Sequence, residues 1–155
     1  MKNPAAVSDP LKIYFCGSIR GGRKDAQLYH DLIEYLKTFG KVLSEHVGRL
    51  DLEDEREIPP CQIHDRDLIW LKSSDVVIAE VTTPSLGVGY ELGRAVEMGK
   101  PILCLYRINE DKRLSGMISG SPGIVSVVYD DMEECRHWIA GFLAGMTRGS
   151  DKPPA

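Results

Sequence analysis

Short apolar runs alternate along the chain with stretches whose apolar residues recur at helical spacing. Leu11-Lys12-Ile13-Tyr14-Phe15-Cys16 lacks the polar alternation of a half-exposed strand and reads as a first, mostly buried one. Val42-Leu43 begins a short second strand ending near His46, Asp75 to Glu80 is a third, Ile102 to Tyr106 a fourth and Ile124 to Val128 a fifth. Between them Leu28, Leu32, Ile33, Leu36 and Phe39 predict a helix from Asp25, stopped by Gly40. Ile63, Leu68, Ile69 and Leu71 predict a helix through Trp70 and Lys72, with His64 and Asp67 one turn apart on one face. Further helical patterns follow Thr83, run from Leu114 to Ile118 within the polar connection Arg107 to Gly123, and close the chain from Met132 to Leu143.

Strands alternating with helices predict an α/β fold: a three-layer flavodoxin/Rossmann-like sandwich with a five-stranded, mainly parallel sheet in the order 2-1-3-4-5. In that order strands one and three are neighbours, and their carboxyl-end loops flank the switch point where such sheets bind ligands. The loop Gly17 to Gly22 would then face the turn Pro84 to Glu91 across one cleft. At 155 residues the chain is expected to form a single domain over 11–146, with disordered ends at 1–10 and 147–155. The acid-rich segment Gly48 to Pro60, closed by Pro59-Pro60, reads as an excursion over the surface.

Charge and composition narrow the partners. A net charge of -4 and a pI near 5.6 argue against a surface built for nucleic-acid polymers and favour a small phosphate ligand. No apolar run reaches membrane-spanning length, so no membrane partner is expected and the protein is read as soluble and intracellular. Cys16, Cys61, Cys104 and Cys135 are widely spaced, with no C-x-x-C pair, which suggests neither a disulfide framework nor a zinc site. Cys16 and Cys104 fall in strand patterns and are expected in the core. His30, His46, His64 and His137 show no ligand spacing, so no metal is expected.

The most informative stretch runs from Thr83 to Ala95, a strand-to-helix turn. Gly87 and Gly89 leave the backbone bare for close ligand approach, and unpaired N–H groups at the helix start attract an anion. Into that place the chain puts the carboxylate Glu91, either a nucleophile or base, or simply a complement to the helix dipole. Gly87-Val88-Gly89 with Gly93 misses the dinucleotide spacing by one residue and follows the third strand, so NAD is set aside. Gly17 and Gly22 have P-loop spacing, but Arg23 and Lys24 stand where Lys and Ser/Thr are required. A monophosphate held by backbone N–H groups, Ser18 and Arg20 suits that loop better than a triphosphate, and a plain glycine turn is the alternative. Asp67 and Glu91 could flank a glycosidic bond if the Ile63 to Lys72 helix covers the cleft; otherwise Asp67 belongs to a solvated face.

Five segments carry a family resemblance: Tyr14 to Gly22, Glu45-His46-Val47, Asp67-Leu68, Asp75 to Val81 and Pro84 to Ala95. Together they resemble the 2'-deoxynucleoside 5'-monophosphate N-hydrolases, the nucleotide-directed branch of the nucleoside deoxyribosyltransferase superfamily. The resemblance runs in order from Leu11 to Tyr129. It implies cofactor-free and metal-free hydrolysis of the N-glycosidic bond, releasing a base and 2-deoxyribose 5-phosphate in the cytoplasm or nucleus. It further implies that Glu91 is the nucleophile, Asp67 the acid assisting the base, and Tyr14 the support for nucleophile and sugar. Ser18, Ile19, Arg20, Gly22, Ser85 and Gly87 match the phosphate pocket, Gly17 and Gly21 join them as expected substrate-binding residues, and His46 lies near the nucleobase. Ser115 and Met117 match residues lent to a neighbouring subunit, which makes a homodimer part of the expectation. A deoxyribosyltransferase using the same Glu91 and a silent nucleotide-binding regulator remain as alternatives. A ribonucleotide phosphoribohydrolase lacks its P-G-G-x-G-T loop here.

Overall fold

In a computed structural model, residues 9–19, 25–49, 57–110 and 112–147 are described. The expectations for Arg20, Gly21, Gly22, the chain ends at 1–8 and 148–155, and most of the acidic excursion fall outside them. Strand β1 (Lys12–Cys16) has neighbours on both sides, because the order is β2 (Lys41–Val42), β1, β3 (Val76–Glu80), β4 (Ile102–Arg107), β5 (Val125–Tyr129), with every pairing parallel. This is the expected 2-1-3-4-5 sheet. Tyr14 pairs with Val77 and Cys16 with Ala79, so the carboxyl ends of β1 and β3 lie side by side.

The pleat sorts β1 between two cores. Ile13 and Phe15 pack under helices α1 (Ala26–Leu36) and α5 (Met132–Thr147), with Leu32, Leu36, Ile139 and Leu143. Tyr14 and Cys16 face the opposite layer, where α2 (Pro60–Ser73) supplies Leu71 and α3 (Leu86–Glu97) supplies Val88, Leu92 and Ala95. Cys16 and Cys104 are core thiols, as their strand patterns predict. A one-turn helix α4 (Gly116–Ser119) precedes β5.

Local chemistry moves several boundaries. The second strand ends at Val42, earlier than expected, because the Ser44 side chain takes over the ladder: its Oγ accepts from the Phe15 N–H and donates to the Phe15 carbonyl, both at 2.8 Å. His46 therefore stands in a 3₁₀ turn, Glu45–Gly48. Helix α1 ends at Leu36, short of Phe39, and Gly40 has a different reason than stopping it. A β-carbon there would collide with the Leu11 carbonyl, which accepts from the Lys41 N–H at 2.7 Å. Helix α2 begins at Pro60, since proline costs nothing in a first turn whose N–H groups lack partners. Ile69, counted in its apolar pattern, is 66% exposed, while Leu71 is fully buried. No helix of the described residues is long and apolar enough to cross a membrane.

Candidate active site

A cavity of about 610 Å³ opens at the carboxyl ends of β1 and β3, within the usual range for a small-molecule site. Gly17 and Ile19 line it from the β1 loop, Ile63, His64, Asp67 and Leu68 from α2, and Pro84 to Val88, Tyr90 and Glu91 from the turn and α3. Helix α2 does cover the cleft, so His64 and Asp67 share the face the sequence places them on, and Asp67 and Glu91 meet one cavity.

Glu91 is the sixth residue of α3, whose first turn carries no acid, so its role is not dipole complementation. Instead the buried Tyr14 hydroxyl donates to Glu91 Oε1 at 2.9 Å, and the buried Cys16 thiol hydrogen-bonds the same carboxylate. Tyr14 and Cys16 are two residues apart on β1, hence on the same face. Burial pushes the Glu91 pKa up to about 7, opposed by the Tyr14 and Cys16 hydrogen bonds and reinforced by the nearby Asp67 charge. Burial likewise pushes the Tyr14 phenol and the Cys16 thiol upward, with Glu91's charge adding to both, so each remains a hydrogen-bond donor. A carboxylate poised near neutrality can be ionised for attack and still tolerate a desolvated cavity.

Asp67 is steered from outside the cavity. Arg66 Nε donates to Asp67 Oδ1 at 2.9 Å, its Nη2 lies 3.3 Å from His46 Nε2, and its guanidinium stacks over Trp70 at 4.8 Å. His46 packs against Trp70 with ring centroids 5.4 Å apart. His46 is buried and is not among the cavity-lining residues, so it reaches the site through Arg66. At the mouth, Arg94 Nη1 donates to Tyr90 Oη at 3.0 Å, and Tyr90 Oη lies 3.0 Å from His64 Nε2, linking α3 to α2.

At the turn where the sequence leads us to expect a phosphate, Ser85 caps α3, its Oγ accepting from the Val88 N–H at 3.4 Å. A capping hydroxyl keeps its own hydrogen for a second partner. The N–H groups of the first helical turn, which includes Leu86 and Gly87, have no intrahelical acceptor. A β-carbon on Gly87 would meet only Ser85 Oγ, at 3.8 Å, so packing does not require glycine there, and the residue presents bare backbone at the cavity lining. Gly17 differs, because a β-carbon would press on the Tyr29 ring at 3.1 Å. Ser18 is fully buried, its N–H donates to Tyr29 Oη at 3.2 Å, and its hydroxyl has no partner among the described residues. Ser115, the N-cap position of α4, and Met117 are exposed and lie outside this cavity. No group of three or more His, Cys, Asp or Glu could hold a metal ion among the described residues.

Comparison with known proteins places the chain among relatives. Residues 13–135 match the family described as nucleoside 2-deoxyribosyltransferase. The chain belongs to this family. Among its relatives is the 5-hydroxymethyl-dUMP N-hydrolase of Tetraodon nigroviridis, 57% identical over 124 residues, which are 78% of this chain and 87% of the relative. The 5-hydroxymethyl-dUMP N-hydrolase of Mus musculus is 48% identical over 155 residues, 94% of this chain and 90% of the relative. The fold resembles that of Clostridium botulinum CMP N-glycosidase, with a TM-score of 0.60 at 22% identity over 84% of this chain and 98% of that one. It also resembles a 2-deoxyribosyltransferase from Bacillus psychrosaccharolyticus, with a TM-score of 0.59 at 16% identity over 84% and 95%.

The sequence alone assigned no site role to Arg66, Trp70, Cys16 or Tyr90, and it placed His64 on the Asp67 face without a role. Cys16 carried a usable signal, two residues from Tyr14 in a strand. Arg66 and Trp70 stand one turn apart on α2, but the His46 ring that both contact comes from a segment 20 or more residues away.

Proposed function

We propose that this protein hydrolyses the N-glycosidic bond of 2'-deoxynucleoside 5'-monophosphates, with 5-hydroxymethyl-dUMP as its substrate. The observation that carries the reading is the buried Tyr14 hydroxyl on Glu91 Oε1, at the wall of a cavity that also holds Asp67. Glu91 attacks C1' of the deoxyribose from the face opposite the base, and the C1'–N bond breaks with its electron pair leaving on the base. Asp67 assists that departure by proton donation, and water then cleaves the glutamyl ester to release 2-deoxyribose 5-phosphate. A 2'-deoxy sugar lacks an electron-withdrawing hydroxyl, so its oxocarbenium-like transition state is easier to reach and no cofactor is needed. The phosphate serves as a remote handle, its binding energy holding C1' against Glu91. Ser85, Gly87 and the α3 start form that handle's receptor, joined by Gly17 and Ile19 of the β1 loop.

The working unit in this reading is a homodimer in which Ser115 and Met117 enter the neighbouring cavity. Support comes from the exposure of Met117 at 84% and of Leu86, on the cavity rim, at 97%. Solvent-facing apolar side chains at a cavity edge are what a second copy would cover.

The test incubates the protein with 5-hydroxymethyl-dUMP, the matching ribonucleotide and the unphosphorylated nucleoside, and follows free base. Turnover confined to the deoxynucleotide is expected, and equal turnover of all three overturns the reading. Addition of an acceptor base separates a transferase, which would yield a new nucleoside product. Sedimentation with and without Met117→Arg tests the dimer, which the charge should dissociate with loss of activity.

A further inference from the structure

Two threonines lead from β3 into the turn that starts α3, and side chains outside the cavity hold both. Thr82 Oγ1 donates to Glu80 and accepts from the Arg107 backbone N–H at 2.8 Å. Tyr129 donates to the same Glu80 carboxylate at 2.9 Å, so the fully buried Glu80 ties the ends of β3 and β5 together. Thr83 Oγ1 donates to Asp25 Oδ2 at 2.9 Å, and Arg107 Nη2 donates to Asp25 Oδ1 at 2.9 Å. Asp25 is buried, stands at the N-cap position of α1, and spends one oxygen on each partner. It makes no capping bond to its own helix, which leaves its carboxylate directed at β3 and β4.

We propose that Asp25 is a positioning residue for the phosphate end of the cavity: anchored by Arg107, it sets through Thr83 where Pro84, Ser85 and the start of α3 stand. The proposal rests on the reading of this cavity as a deoxynucleotide site. Thr83 is followed directly by Pro84, whose ring fixes φ, so a displacement of Thr83 passes into Ser85 with little slack. Ser85 is the α3 cap and lines the cavity. Glu91 lies farther along α3 and keeps its own tether to Tyr14, while Thr82 keeps Glu80 and Arg107. Loss of the Asp25 bridge is therefore felt first at the phosphate handle and less at the reacting carbon.

Thr83→Val removes the donating hydroxyl at nearly constant shape and leaves the Asp25 to Arg107 pair intact, and Thr83→Ser restores the hydroxyl. With 5-hydroxymethyl-dUMP, Thr83→Val raises KM about fivefold, the scale of one lost hydrogen bond, while kcat changes less. Asp25→Ala raises KM at least as much, and the Asp25→Ala/Thr83→Val double variant is no worse than Asp25→Ala alone, because both break one bridge. Thr83→Ser keeps the wild-type KM. In parallel, the rise in Tm produced by 2-deoxyribose 5-phosphate is measured for each protein, a readout that needs no turnover. Thr83→Val should shrink that rise and Thr83→Ser should retain it. A lower Tm with unchanged KM and unchanged protection would mean that the bridge only supports the fold, and the proposal falls. It falls equally if wild type gains no protection from the sugar phosphate. If wild type is protected but fails to cleave the nucleotide, the functional reading is lost, and the protection series alone decides the role of Asp25.

Discussion

Replacing Tyr14 by Phe removes one oxygen from a fully buried ring and leaves the rest of the core in place. That oxygen donates at 2.9 Å to Glu91, whose pKa burial has raised to about 7 and which the Tyr14 bond holds down. A hydrogen bond to a charged acceptor contributes about 1.5–3 kcal/mol, and about 1.4 kcal/mol corresponds to one pKa unit. Loss of the bond thus raises Glu91 by about one to two units. At pH 7 the ionised fraction drops from about one half to between about one tenth and one hundredth. A nucleophilic Glu91 must be ionised, so kcat/KM at pH 7 falls about fivefold to fiftyfold and recovers toward wild type as pH approaches about 9.5. The assay is kcat/KM against pH for both proteins. The substrate phosphate, with its second pKa near about 6, titrates identically in both profiles and cancels in their ratio. An acid limb at the same pH in both, with a uniform loss across the range, would refute the view that Tyr14 acts by holding Glu91 ionised.

Glu91→Gln should abolish turnover while retaining binding of 2-deoxyribose 5-phosphate. It should also stabilise the protein in alkaline solution: a carboxyl pKa raised from 4.5 to about 7 on folding weakens the fold as pH climbs through that window. The gain in unfolding free energy at pH 8 is about 1–3 kcal/mol and vanishes near pH 4, where a stability advantage equal to that at pH 8 would contradict the assignment. Asp67→Asn should lower kcat by about 10²–10⁴, least for electron-poor bases that leave without a proton, and indifference to the leaving base would count against an acid role. Arg66→Met, which keeps an apolar stem beside Trp70, should lower kcat by about tenfold through the lost ion pair to Asp67. Gly40→Ala should cost about 2–4 kcal/mol in urea denaturation, because its β-carbon meets the Leu11 carbonyl at a rigid strand pairing.

Much of the architecture is written locally. Val76-Val77-Ile78-Ala79 and Ile102-Leu103-Cys104-Leu105 are apolar throughout because both sheet faces are covered, and that pattern reads directly as central parallel strands. The boundaries that shifted did so for nonlocal reasons: Ser44 ends β2 by bonding across to Phe15, and Ile69 turns outward because α2 meets the sheet through Leu68 and Leu71.

The site divides in the same way. The glycine turn, its N-cap Ser85 and the carboxylate six residues beyond follow from the order of residues, since one helical segment carries all three. Whether Glu91 is charged does not follow, because burial opposes the Tyr14 and Cys16 donors and each arrives from a strand more than 70 residues earlier. The Asp25 hold on Thr83 and the approach of His46 to Arg66 have the same origin. Hydrophobic period and turn chemistry act between near neighbours and are legible along the chain, whereas desolvation and hydrogen-bond partnership depend on which distant segments the sheet brings into contact, and only the tertiary structure settles that.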